Sequence, residues 1–297
     1  VAQGGKIYAN GTKDEPIIFT ADEDNAKSGH WGGIIINGKA PISGDKEDKS
    51  NTALAEINNK YPYGGNNAAD NSGVMTYVSI CYAGARSTQD IEHNGLTLNG
   101  VGNGTTIENI YVLESADDAI EFFGGTVNVK NLLAVNPDDD MFDFTQGYCG
   151  TLSNCYGIWE SDYTSTEADP RGIEADGNFD GLYPNHLRQS DFVVDGMTIV
   201  NNAANTTDNV DRMQDVIKIR RGAKATIKNA LVKGTGGAID LVDMNDGKGA
   251  GNAASTISIT NSLQLTGKKL NGEAVLNEAG SNTGADTSVF GWTKYNF

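Results

Sequence analysis

The chain has 297 residues, a formal net charge of −17 and a pI near 4.4. So acidic a surface repels nucleic acid and anionic membranes and favours cations, and no run of 18 apolar residues is present to span a bilayer. Glycine is abundant at 37 residues, proline is scarce at 6, and long stretches with helical spacing are missing, so the pattern is one of many short strands joined by tight turns.

The chain opens at Val1 in VAQGGKIYANGTKDEPIIFT, which reads as strand sequence of a mature or trimmed form, with no signal peptide and no amphipathic capping helix. A polar, Gly- and Asn-rich insertion is expected near 43–72. A repeat then sets in, written apolar-x-Asn-x-apolar-x-apolar. A first copy, with Thr in the Asn slot, is Val74-x-Thr76-x-Val78-x-Ile80. The pattern is full at Ile107-x-Asn109-x-Tyr111-x-Leu113, Val129-x-Asn131-x-Leu133-x-Val135 and Leu152-x-Asn154-x-Tyr156-x-Ile158. It continues at Val193-x-Asp195-x-Met197-x-Ile199, Ile227-x-Asn229-x-Leu231-x-Lys233 and Ile259-x-Asn261-x-Leu263-x-Leu265.

Successive slots lie 22, 23, 41, 34 and 32 residues apart. One coil of a parallel β-helix takes about 20–25 residues for its short strands and turns, so the longer intervals are one coil plus a loop. Further insertions are expected near 159–190, 201–214 and 244–254. The fold class is therefore all-β, a single-domain right-handed parallel β-helix over 1–297, with the apolar residues of each period-2 strand pointing inward. Asn suits the slot because it tolerates the left-handed conformation at a corner, and stacked amides can bond from coil to coil.

A second strand follows in each coil, with Ile120, Phe142, Ile173, Ile217 and Ile239 in one column. The next, outward position is then Glu121, Asp143, Glu174, Lys218 and Asp240, and two positions before the column stand Asp118, Asp140, Arg171, Asp215 and Gly237. Coils lie about 4.8 Å apart, so stacked carboxylates repel and raise one another's pKa unless a cation intervenes. Asp118, Glu121, Asp138, Asp139, Asp140 and Asp143 could supply the oxygen shell of a calcium ion. Asp118, Glu121, Asp139 and Asp140 could instead act as general acid and base on a glycosidic bond, with Lys218 and Arg220 gripping a uronate.

Trp159, Tyr163 and Tyr183 fall on expected loops beside Asn and Asp, the chemistry of sugar binding; loop rings folded back on the coil are the alternative. His30, His93 and His186 are isolated and show no metal-ligand spacing. Cys149 and Cys155 could bridge in an exported protein, or stand as buried thiols on neighbouring strands.

The segments HWGGIIINGKAPI, DNSGVMTYVSICYAG, NGLTLNGVGNGTTIENIYV, DDAIEFFGGTVNVKNLLAV, DDDMFDFTQGY and TSVFGWTKYNF resemble the exported β-helix proteins and lipoproteins of Bacteroidota and related bacteria. That resemblance implies a right-handed parallel β-helix and carries no general activity. The function expected from the sequence is an extracellular or outer-cell-surface structural or adhesive β-helix, stabilised by a cation and able to bind carbohydrate. Uncapped strand edges would allow head-to-tail self-association into filaments. The alternative is a polysaccharide lyase or glycoside hydrolase acting on an acidic glycan.

Overall fold

The structure is a computed structural model that describes residues 1–86, 93–204 and 213–297. Strands are numbered in chain order. Sheet A consists of β1 (Ile7–Asn10), β2 (Ile17–Phe19), β6 (Gly73–Cys81), β8 (Thr106–Leu113), β10 (Val129–Val135), β12 (Thr151–Trp159), β14 (Asp191–Asn201), β16 (Lys224–Lys233), β18 (Thr256–Asn261) and β20 (Val275–Glu278). Sheet B consists of β3 (Ile34–Asn37), β7 (Leu96–Asn99), β9 (Ile120–Phe123), β11 (Phe142–Thr145), β13 (Ile173–Asp176), β15 (Met213–Arg220), β17 (Gly237–Asp243) and β19 (Gln264–Leu265). The chain alternates between the sheets and every pairing within them is parallel, so the molecule is a single-domain parallel β-helix. An antiparallel hairpin, β4 (Thr52–Ala55) and β5 (Asn58–Gly64), stands outside the coil in the 43–72 segment.

The core is built by stacking equivalents. Met75, Ile107, Val129, Leu152, Val194, Ile227 and Ile257 form one buried column across sheet A. From sheet B, Phe122 and Phe144 stack with centroids 5.1 Å apart, and Phe144 stacks on Phe192 at 4.2 Å. Such ring pairs add roughly 0.5–1.5 kcal/mol beyond burial.

The corner of each coil is a left-handed residue. Tyr77, Asn109, Asn131, Asn154, Gly196 and Asn229 occupy this column with φ of 52°, 58°, 58°, 54°, 73° and 50°. The Asn131 amide donates to Asn109 Oδ1 at 2.9 Å, and the Asn154 amide donates to Asn131 Oδ1 at 2.8 Å. Two sequence assignments shift by one: Tyr77 and Gly196 hold the corner, not Thr76 and Asp195. Asn261 does not lie in the column; it pairs with Val232.

The corner also resets the alternation. Continuing period 2 through Asn109 would bury Tyr111 and Leu113, but the left-handed turn flips the parity. Ile110 and Val112 point inward, and Tyr111 and Leu113 face out. The same flip sends Leu133, Val135, Tyr156 and Ile158 outward. They are buried nonetheless, because the C-terminal segment lays Phe290, Val289 and Tyr295 over them. That strap is held by Asn154, whose Oδ1 accepts from the Asp286 N–H at 2.6 Å, and by Tyr295, whose hydroxyl donates to Glu160 at 2.9 Å.

The 159–190 segment is not one loop: β13 lies within it. Most of the 201–214 segment lies outside the described residues, and its last two, Met213 and Gln214, open β15. All three cysteines are free, so Cys149 and Cys155 do not bridge. Cys155 faces the core between Leu132 and Met197, and Cys149 sits in the preceding turn with its thiol toward Gly147 O and Gln189 O.

If the corner column is selected for its conformation as well as its amides, Asn131→Ala should cost more than Asn131→Gly. Glycine loses two amide bonds, about 1–2 kcal/mol, while alanine adds about 1–2 kcal/mol of left-handed strain. Urea unfolding of both variants measures this; equal losses would show that the φ of 58° is not what the column requires.

Candidate functional site

In-register pairing carries the outward charges of sheet B into columns. Thr97, Glu121, Asp143, Glu174, Lys218 and Asp243 form one, and Asn99, Phe123, Thr145, Asp176 and Arg220 another. The sequence column fails at β17: Ile217 pairs with Val242, not Ile239, and Asp215 with Asp240. The slip of three residues brings Asp240 and Asp243 together with Asp215.

Four carboxylate groups result, each offering oxygens within 4.8 Å of one another: Asp117–Asp118–Asp139, Asp118–Glu121–Asp143, Asp140–Asp143–Glu174 and Asp215–Asp240–Asp243. Five of the six acids proposed for a cation thus converge. Asp138 is the correction. It turns away and holds the following loop, accepting from the Tyr163 hydroxyl at 2.9 Å, the Thr166 N–H at 2.8 Å and the Thr166 hydroxyl.

The groups differ in their counter-charges. Arg171 donates to Glu174, to Asp169 at 2.6 Å, and lies 3.6 Å from Asp215. Burial works against its charge, yet Asp140, Asp169 and Asp215 hold it protonated. Arg220 bonds Glu174 and, at 2.6 Å, Asp176. Arg221 bonds Asp176 at 2.7 Å, Asp180, and Asp246 at 3.0 Å. Lys218 bonds Asp243 and lies 3.6 Å from Asp215. The carboxylates at β13 to β17 are therefore matched by bases.

Among the described residues no lysine or arginine is ion-paired to the trio Asp118–Glu121–Asp143, and Arg220 acts on Asp143 only from a distance. Burial and mutual repulsion raise Asp118 and Glu121 well above the usual carboxylate range, and Asp143 to about 7. Glu121 accepts from the Asn94 amide at 2.6 Å, and Asp118 from the Asp140 N–H at 2.9 Å. Among the described residues the buried acceptors Asp140 Oδ1, Asp143 Oδ1 and Asn94 Oδ1 have no donor. Orphaned oxygens of this kind, with no sulfur or imidazole among them, fit a hard cation such as calcium. Asn94 is absent from the sequence-derived set, although it precedes Leu96 by two as Asp118 precedes Ile120. Extending the column one coil would have found it.

Glu121 and Asp143 open into a cleft of about 530 Å³. Its floor continues through Glu174, Asp176, Arg220 and Arg221. One wall is the hairpin, through Leu54 and Ile57, and the other is the 179–183 turn. Tyr183 lies on this second wall, half-exposed and stacked on His186 with centroids 4.6 Å apart. Of the three aromatic residues proposed for glycan contact it alone is placed for it. Trp159 is 1% exposed and donates its indole N–H to Pro137 O at 2.9 Å, and Tyr163 packs beside it. Trp159 ends β12, and only Tyr163 belongs to a loop folded back on the coil. Tyr63, a further aromatic residue of the sequence, lines the cleft from the hairpin.

A family model described as pectate-lyase-like β-helix domain matches residues 1–294. The chain belongs to that family. No curated protein and no solved structure matches it. Membership of the pectate-lyase-like family agrees with the parallel sheets. Among the described residues no helix is long and apolar enough to cross a membrane.

Burial raises Asp176 and Asp215 from 3.8 to about 6, against the pull of Arg221 on the first and of Lys218 and Arg171 on the second. Between those pH values the folded chain binds protons that the unfolded chain has released, so stability decreases as pH rises through the window. Thermal melts in chelator should show the melting temperature declining from pH 3.8 to about 6. A rise over the same span would mean that the arginine partners outweigh burial.

Proposed function

We propose that the protein is an extracellular β-helix that binds an acidic polysaccharide in the sheet B cleft through a bridging divalent cation, calcium being the best fit. The observation that carries this reading is the trio Asp118–Glu121–Asp143, without an ion-paired base among the described residues and with orphaned oxygens at Asp143, Asp140 and Asn94, opening into a glycan-sized groove. Arg220 and Arg221 already bond their own carboxylates, so a uronate gains little from them. A chain of charge −17 also repels a polyanion. A cation held by the trio would reverse the local sign and offer its open positions to a sugar carboxylate. Filament formation is set aside, since no feature of the cleft calls for it.

A second reading, cleavage by β-elimination, is favoured by Arg220. It lies on the cleft floor, and burial together with Arg221 and Arg171 lowers its proton affinity. The name pectate-lyase-like, borne by the family, points the same way.

Affinity electrophoresis through polygalacturonate tests the binding reading. Migration should be retarded in calcium and restored by chelator, and Asp143→Asn should weaken calcium binding by about 10–100-fold. The same variant should melt higher than the parent in chelator, because it removes a charge from a repelling trio. Retardation indifferent to chelator would overturn the cation bridge. Appearance of unsaturated uronate absorbance, lost in Arg220→Lys, would select elimination over binding alone.

A further inference from the structure

The outer face of sheet A carries a second groove, of about 540 Å³, on the opposite chemistry from the cleft. Three separated segments build it: Lys13 and Asp14 from the turn between β1 and β2, Tyr77, Asn109 and Asn131 from the corner column, and Trp292 from the C-terminal strap. It carries one charge of each sign, two rings and two side-chain amides, and Ser288, Val289 and Gly291 of the strap complete the lining.

Tyr77 is the anomaly. It occupies the corner slot that asparagine fills in the next three coils, and it does so at φ 52°. A bulky residue in the left-handed region is strained by about 1–3 kcal/mol, and such strain clusters at functional positions. Asparagine there would accept from Asn109 and extend the amide ladder. Instead the ladder stops. Its last acceptor is Asn109 Oδ1, which takes the Asn131 amide. The Tyr77 ring is partly exposed and is braced edge-on by Trp292, with centroids 5.6 Å apart and planes at 80°. Trp292 is 9% exposed, and its buried indole N–H has no acceptor among the described residues. A groove that presents an aromatic ring, side-chain amides and one charge of each sign suits a ring of hydroxyls.

We propose that this groove binds a neutral pyranose of a glycan, stacked on Tyr77 and hydrogen-bonded to Asn109 and Asp14. It is independent of the cleft, and its ligand is uncharged where the cleft's is acidic.

The test is saturation-transfer NMR of the whole chain with cellopentaose, mannopentaose and galactopentaose. Transfer to at least one of them is expected. Tyr77→Asn should weaken its binding about tenfold, the scale of one lost stacking contact, and Tyr77→Phe should retain it. Asparagine at this corner suits the backbone and continues the ladder, so Tyr77→Asn should fold with undiminished thermal stability. Asp143→Asn, in the cleft, should leave the transfer unchanged. No transfer from any of the three sugars, or transfer that survives Tyr77→Asn, would overturn the proposal. Transfer lost in Asp143→Asn and kept in Tyr77→Asn would assign the sugar to the cleft instead.

Discussion

The structure depends on one constraint, parallel stacking in register. Each residue of a coil sits about 4.8 Å from its equivalent in the next, so whatever one coil presents, its neighbour presents beside it. For apolar groups this is favourable, and the column from Met75 to Ile257 and the ring stack through Phe144 follow from it. For amides it is favourable again, since one side chain's donor meets the next one's acceptor, as from Asn154 to Asn131 to Asn109. For carboxylates the same geometry is costly, because like charges are brought to a distance where both resist ionisation. Sheet B shows two answers to that cost. At β13 and β15 the acidic columns are interrupted by Arg171 and Lys218, with Arg220 and Arg221 alongside. At β9 and β11 they are not interrupted, and the cost stands.

That contrast is what distinguishes a site from an acidic surface. A chain of charge −17 must place carboxylates close together somewhere, and most such groups need no ligand. The group at Asp215, Asp240 and Asp243 shows the ordinary outcome, since Lys218 serves it. The group at Asp118, Glu121 and Asp143 is as closely spaced but has no such ion-paired base among the described residues, and acceptors near it are left bare there. Position reinforces the difference, because Glu121 and Asp143 open into the cleft, between the hairpin and the 179–183 turn.

Much of this was legible in the sequence, and the failures have physical causes. The coil spacing and the Asn column were readable because stacking repeats them. Which residues face inward was only half readable. Period 2 holds along a strand, but a left-handed corner changes the parity, so Tyr111 and Leu133 were assigned to the interior when Ile110 and Leu132 fill it. The column reached Ile173 and Ile217 correctly and slipped at Ile239, where Ala238, Asp240 and Val242 hold the register. An apolar residue three positions away offered an equally good match. Asp138 looked like Asp139 and Asp140 in the run of three, and only the loop returning through Tyr163 and Thr166 separates them. Trp159 looked like a loop aromatic, but it ends β12 and is buried. The strap left no trace in any periodicity, because it is a single segment crossing coils that the repeat describes.

In a solenoid, information about function lies in the departures from the repeat. A position occupied alike in every coil is explained by stacking alone, and its residue says little about a ligand. A position where stacking would favour one residue and the chain supplies another has given up a favourable contact, and needs a separate reason. Phe123 ends the amide pair Asn37–Asn99 and lines the cleft. Arg171 enters an aspartate column and fixes where charge is balanced. Tyr77 ends the corner ladder at a strained φ and lines the groove on the other sheet. All three interruptions fall at or beside a concavity or its charge boundary. In this chain the repeat builds the surface, and the breaks in it give that surface its chemistry.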